Sequence, residues 1–259
     1  MHTDLVKPET MAELVARYQQ QKADIEAMRP YYNKVKNLLQ SGLRHYDKVD
    51  FDRTLDSMKK KSWTEIIERC GLFSLMSMEA AEEVKKSLYY DEGKTCEDLG
   101  IPDFTVENVI QFIDDRRAAI PSMMDEKILE VYKLLRPRNY YDLKTNKTSL
   151  FEGIGNKVIL SWFFETNYAG KGLRIRFQKR EEVNAIQEVF TLLDGKGIPK
   201  DGQKLYYKLH ESERGDAYED EYFRLKGYKN GNIHIEFKRL DLVEKIVSTA
   251  KEKLLGAVA

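Results

Sequence analysis

The run Glu221–Ile246, EYFRLKGYKNGNIHIEFKRLDLVEKI, admits very few folds. Phe223 and Leu225 alternate with Arg224 and Lys226, while Ile233, Ile235 and Phe237 alternate with His234, Glu236 and Lys238. Alternation of period two marks strands with one buried face, and a hairpin must bring the two apolar faces together. A two-residue Asn230-Gly231 loop would set Leu225 opposite Glu236 and leave the faces in conflict. A three-residue loop, Lys229-Asn230-Gly231, sets Leu225 opposite Ile235 and Phe223 opposite Phe237, with Gly231 in the left-handed conformation such loops need. The other face then carries Tyr222 with Lys238, Arg224 with Glu236, Lys226 with His234, and Tyr228 with Asn232. That is a basic and aromatic surface on a rigid ribbon, suited to a polyanion.

The rest of the chain reads as helices first and mixed elements after. Apolar residues from Met11 to Leu39 recur every three or four positions and predict a long helix after Pro8, stopped at Gly42. Ser62 followed by Glu65 predicts a helix start with a capping box, closed at Gly71. Ser77 opens a further helix to about Leu88, residues 91–102 form a loop, and Thr105 caps a long helix broken near Pro121. The period then changes. Val158–Phe164, VILSWFF, fits a buried strand, with Trp162, Phe163 and Phe164 expected in the core. Leu173–Phe177 alternates as a half-exposed strand with Arg174 and Arg176 on one face. Arg180–Leu193 is an amphipathic helix ended at Asp194-Gly195, a short helix follows from Leu205 to Glu213, and Asp241 caps a last helix to about Leu255. The class is α+β: a helical N-terminal half, then a mixed, mainly antiparallel small sheet with flanking helices. The division is a helical region, 1–136, and an α+β region with the C-terminal hairpin and helix, 137–259, expected to pack as one unit.

The 259 residues carry a formal net charge of +0, which argues against a wholly basic nucleic-acid binder. The distribution is uneven, however. Between Arg136 and Arg180 stand ten bases against three acids, Asp142, Glu152 and Glu165, and local fields matter more than the total for capturing a phosphate backbone. With no apolar run near the roughly 18 residues of a membrane span, no membrane association is expected. The N-terminus has neither the basic nor the apolar region of a secretory signal. Cys70 and Cys96 are too few for a disulfide framework and predict reduced thiols in a cytoplasmic protein. The chain shows no CxxC pair, HExxH, EF-hand loop, Walker loop, GxGxxG or GxSxG, so neither a metal nor a cofactor is expected. Oligomeric state is left open.

Several residues are candidates for phosphate and base contacts. On the ribbon these are Arg224, Lys226, Tyr228, His234 and Lys238, with Arg239 just beyond. Lys157, Arg174 and Arg176 add charge upstream, and Tyr140, Tyr141, Tyr222 and Tyr228 are stacking candidates because each lies among polar neighbours. The polar, aromatic segment Tyr140–Asn146 joins the two halves. Its single carboxylate, Asp142, stands among bases that would keep it ionised as a base or electrostatic stabiliser. A turn or helix-cap aspartate is the competing assignment.

The blocks WTEIIERCGL, FTVENV, DLKTN, LLDGKGIP and EYFRLKGYKNGNIHIEFKRLDLVEKI, in this order, resemble a domain family of undefined function from phage, plasmid and bacterial proteins, over roughly Ser62–Ile246. The last block is the most specific: Tyr222, Phe223, Arg224, Tyr228, Lys229, Gly231, Asn232, His234, Phe237, Lys238, Arg239 and Asp241 keep its pattern. Asp142, Lys144, Thr145 and Asn146 keep the loop block, although Leu143 stands where many relatives have an aromatic residue. The resemblance implies DNA as partner, since some relatives lie beside methyltransferase modules. It further implies an anti-phage DNA glycosylase excising a modified, glucosylated-cytosine-type base, with Asp142, Lys144 and Asn146 as catalytic residues. A helix-hairpin-helix loop and an N-terminal Pro-Glu, usual in glycosylases, are missing. The alternative is a non-enzymatic DNA-binding or regulatory module.

Overall fold

A computed structural model describes residues 9–38, 49–86, 88, 94–136, 154–166, 172–211 and 217–256. The described residues fall into two compact units. The first runs to Phe73 and includes Glu82–Ala119; the second is Ser74–Ala81 with everything from Ile120 onward.

The first unit is helical. Helix α1 (Met11–Leu38) opens on a reciprocal cap, in which Thr10 N donates to Glu13 Oε2 at 2.6 Å and Glu13 N to Thr10 Oγ1 at 3.2 Å. Its fully buried residues, Leu14, Val15 and Tyr18, lie in the first turns; farther on Tyr32 meets Phe51 edge-on at 5.4 Å, whereas Met28, Val35 and Leu38 of the expected apolar stripe are exposed. Helix α2 (Phe51–Arg69) starts earlier than Ser62: Asp50 is the cap, accepting from Arg53 N at 3.0 Å. Ser62 lies mid-helix and bonds back to Met58 O at 3.0 Å, as a hydroxyl denied a terminus does. Gly71 ends the helix with φ 66°. Trp63 and Phe104 pack edge-to-face with centroids 5.3 Å apart, and the indole N–H donates to Pro102 O at 2.9 Å.

After the short helices α3 (Leu72–Leu75) and α4 (Met78–Lys85), α5 (Val106–Leu135) begins where Thr105 caps it, accepting from Asn108 N at 3.2 Å. Pro121 lies inside α5 and does not end it.

The second unit is built on an antiparallel sheet of order β1-β6-β5-β4: β1 (Lys157–Leu160), β4 (Ala217–Glu219), β5 (Phe223–Gly227) and β6 (Ile233–Phe237). The hairpin register is the one its alternation requires, Phe223 opposite Phe237 and Leu225 opposite Ile235, and Gly231 has φ 85°. A second antiparallel pair joins β2 (Phe164–Thr166) to β3 (Leu173–Ile175). VILSWFF is therefore two strands rather than one. Trp162, with φ 69°, breaks the run, so that Phe163 and Phe164 are both buried and Trp162 is left 69% exposed. Phe177, expected to end the β3 strand pointing inward, begins a 3-10 turn and is also 69% exposed.

Helix α6 (Arg180–Leu193) is the centre of this unit, buried without interruption from Val183 to Thr191. Its Phe190 stacks on Phe237 at 5.5 Å and meets Phe223 edge-on at 4.8 Å, which fixes the inward face of the sheet. Its buried Asn184 and Gln187 accept from Tyr206 N at 3.0 Å and Leu205 N at 2.7 Å, capping α7 (Leu205–Glu211). Helix α8 (Leu240–Gly256) adds Leu242, Val243 and Ile246 to the same core. It starts one residue before Asp241, whose carboxylate accepts from Arg239 at 2.9 and 2.7 Å.

Candidate nucleic-acid interface

With Phe223, Leu225, Ile233, Ile235 and Phe237 turned to the core, pleating sends the residues between them outward. The outward face has two unlike ends. At the open end of the hairpin one row crosses all four strands, in register, as Lys157, Glu236, Arg224 and Glu219. Arg224 grips Glu219 through two bonds of 3.0 and 3.3 Å and lies 3.7 Å from Glu236. Lys238 meets the same Glu219 at 3.1 Å and donates to Asp220 O at 2.6 Å. Hydrogen bonds from Arg224, then from Lys238, hold the Glu219 carboxyl at about 2. This end is close to neutral.

The next row, toward the hairpin turn, is Ile159, His234, Lys226 and Ala217, and contains no carboxylate. Lys226 lies over the Tyr228 ring at 5.6 Å, and Tyr228 packs against the His234 ring at 4.1 Å. Among the described residues neither Lys157 nor Lys226 forms an ion pair. His234 Nδ1 is shut off from solvent and has no hydrogen-bond partner. Burial first, then the charges of Lys157 and Lys226, push the His234 pKa below its ordinary value.

The turn end continues into the strap that leaves β1. Phe163 N and Phe164 N both donate to Gly231 O, at 2.8 and 3.0 Å, pinning the strap to the hairpin loop. Two glycines make this approach possible. A Cβ on Gly227 would stand 2.9 Å from the Phe164 ring, and one on Gly231 would stand 3.2 Å from Phe164 O. Trp162, immediately before the pinned pair, is exposed with the Arg176 guanidinium 4.8 Å from its ring. Arg174 and Arg176 share Glu165, at 2.8 and 3.3 Å, two cations on one carboxylate.

Of the residues expected to contact nucleic acid, the fold therefore gathers Lys226, Tyr228, His234 and Arg176 at the turn end, with Arg174 beside Arg176. Lys157 borders them. Arg224 and Lys238 share the outward face but are engaged by Glu219. Arg239 stands apart at the start of α8, bound to Asp194 at 2.8 Å and to Asp241 at 2.7 Å. Tyr222, expected to face outward, is only 3% exposed and donates to Asp194 Oδ2 at 3.0 Å, so it is unavailable for stacking. Asp142, Lys144 and Asn146, with Tyr140 and Tyr141, lie outside the described residues. Trp162 is the residue that sequence reasoning missed; a tryptophan next to a serine at the centre of an apolar run is a faint sign of a break.

A family model matches residues 55–253, from within α2 to within α8, so the whole face lies inside the matched span. Its description is a domain of unknown function, DUF4942. The chain belongs to the DUF4942 family. No curated protein and no solved structure matches it. Within the DUF4942 span, no group of three or more His, Cys, Asp or Glu side chains among the described residues could hold a metal ion. No helix among them is long and apolar enough to cross a membrane.

Proposed function

We propose that this DUF4942 protein acts on DNA and holds it at the turn end of the outward sheet face. The observation that carries this is the segregation of charge on that face. Glu219 neutralises one end, while Lys226 and His234 share a row without a carboxylate at the other, where Tyr228 and Trp162 offer rings and Lys157, at the border, forms no ion pair among the described residues. Uncompensated cations bind phosphates and release counterions, and aromatic faces take bases.

The chemistry we assign is excision of a modified, cytosine-type base. In that reaction water attacks C1′ of the deoxyribose, the N-glycosidic bond breaks, and the base departs with the bonding electrons and takes up a proton. Asp142 would activate the water or stabilise the oxocarbenium-like transition state, with Lys144 and Asn146 positioning the sugar-phosphate beside it. This assignment rests on the DLKTN block and on the family resemblance. The test is base release without metal. Plain duplex and DNA carrying modified cytosines are incubated with the protein, treated with alkali and resolved on a gel. Breaks confined to the modified DNA, absent with Asp142→Asn, are expected; intact DNA in every lane would overturn the catalytic assignment.

A non-enzymatic DNA-binding module is the second reading, and the carboxylates of the face favour it. Glu165 is held by two arginines, Glu219 by Arg224 and Lys238, and Glu236 lies beside Arg224. Each of the three is engaged by a cation of the protein itself. Retarded bands at low salt with no strand breaks on any substrate would select this reading.

A further inference from the structure

Trp162 combines features that packing does not require together. It is one of the largest side chains and is 69% exposed. Its φ of 69° is, among the described residues, the single left-handed value outside glycine. A bulky residue avoids that region unless its surroundings impose it, and here the strap pinned to Gly231 O imposes it. Arg176 lies over the ring and also donates to Phe164 O at 3.3 Å, which steadies the cation against the indole. The β2–β3 register, Phe164 opposite Ile175, continues through Arg176 N donating to Phe163 O at 2.8 Å. Beyond that bond the ladder ends, Trp162 in the left-handed region and Phe177 in a 3-10 turn, and both side chains are 69% exposed. Two exposed aromatic side chains thus flank the end of a short ladder, and the strap that carries Trp162 is pinned to the hairpin loop between Lys226 and His234.

Resting on the DNA-binding reading above, we infer that the site takes unpaired DNA, with a base stacked on Trp162 and the flanking phosphates on Lys226 and Arg176. In a closed duplex each base face is covered by its neighbours and only edges reach the grooves, so an exposed indole finds no face to stack on. In a single strand, a bubble or an extruded nucleotide every base offers a π-face, whatever its sequence. The cations serve either form. Trp162 is what distinguishes them.

The test is fluorescence anisotropy with a labelled single strand and with the same sequence closed as a duplex, at one salt concentration. The proteins are the native chain, Trp162→Ala, Trp162→Phe and Lys226→Ala, each checked for folding by circular dichroism. The native chain binds the single strand more tightly. Trp162→Ala loses about 5- to 150-fold on the single strand, the scale of one stacked base, with little change on the duplex, and Trp162→Phe recovers part of the loss. Lys226→Ala weakens both forms alike. Tryptophan emission gives a second readout, because the other tryptophan, Trp63, is only 3% exposed in the helical unit. Single-stranded DNA should quench the native chain and leave Trp162→Phe unquenched. Equal affinity for both forms, lowered equally by Lys226→Ala and unaltered by Trp162→Ala, overturns this inference and leaves DNA binding standing. No affinity for either form at low salt overturns both.

Discussion

The two ends of the outward sheet face are made from the same strands and nearly the same residue types, yet one is neutralised and the other is not. At the open end the short strand β4 brings Glu219 beside Arg224 and Lys238, and the cations are occupied within the protein. At the turn end β4 offers Ala217 instead, and Lys226 is left to the Tyr228 ring. A cation in the sequence is therefore a weak predictor of a binding surface. What counts is whether a carboxylate of a neighbouring strand pairs with it, as Glu219 does with Arg224 and Lys238 and as Glu236 does not with Lys157.

The largest expected effect comes from disturbing the pinned strap, because it places Trp162 and supports the turn. Gly227→Ala puts a methyl 2.9 Å from the Phe164 ring and should destabilise the unit by about 1–3 kcal/mol, measured by denaturant unfolding. An alanine at Lys238, at the paired end, should cost far less.

Next in size is removal of the unpaired cations. Lys157→Ala with Lys226→Ala should lower the slope of log affinity against log salt by about 0.7 per lost phosphate contact on a single strand and about 0.9 on a duplex. Arg224→Ala with Lys238→Ala should leave the slope nearly unchanged, since those groups must first give up Glu219. Equal effects from the two pairs would erase the distinction between the ends.

Glu219→Gln sharpens it from the other side. Freed of their carboxylate, Arg224 and Lys238 should extend the cationic surface and raise DNA affinity by about 2- to 5-fold. The same variant tests the linkage to pH. A carboxyl lowered from 4.5 to about 2 contributes stability above pH 4.5 that is lost as pH falls toward 2. Acid unfolding across that window should be shallower in Glu219→Gln.

The smallest effect is at His234. Its lowered pKa keeps the imidazole neutral until pH falls below 6.5. A phosphate placed against Lys157, Lys226 and the ring would raise that pKa, so binding takes up a proton and strengthens as pH falls. Affinity should rise about two- to threefold more between pH 7.5 and about 5.5 in the native chain than in His234→Gln.

The hairpin register was legible because two alternating stretches and one glycine leave a single solution that buries Phe223, Leu225, Ile235 and Phe237 together. The caps at Ser77 and Thr105 and the end of α6 at Asp194-Gly195 were legible for the same reason: the signal is local. Trp162 was not, since an unbroken apolar run carries no period and the break is set by a hairpin loop some seventy residues later in the chain. Tyr222 has the alternation of an outward residue, but it lies one step beyond β5 and turns toward Asp194 at the end of α6, a partner only the fold supplies. Ser62 matched a capping box by spacing, and the Asp50 cap farther upstream prevailed. The cations of the site could be named in advance. Their neutralisation could not, because Glu219 lies on a three-residue strand too short to show a pattern.

The most direct measurement of the central claim is DNA retention across a salt series, with the native chain beside the Lys157→Ala, Lys226→Ala double variant. The account predicts retention at low salt, a steep loss as salt rises, and a slope reduced in the variant by about 0.7 per contact on a single strand and about 0.9 on a duplex. Retention that ignores salt, or a variant indistinguishable from the native chain, would contradict it.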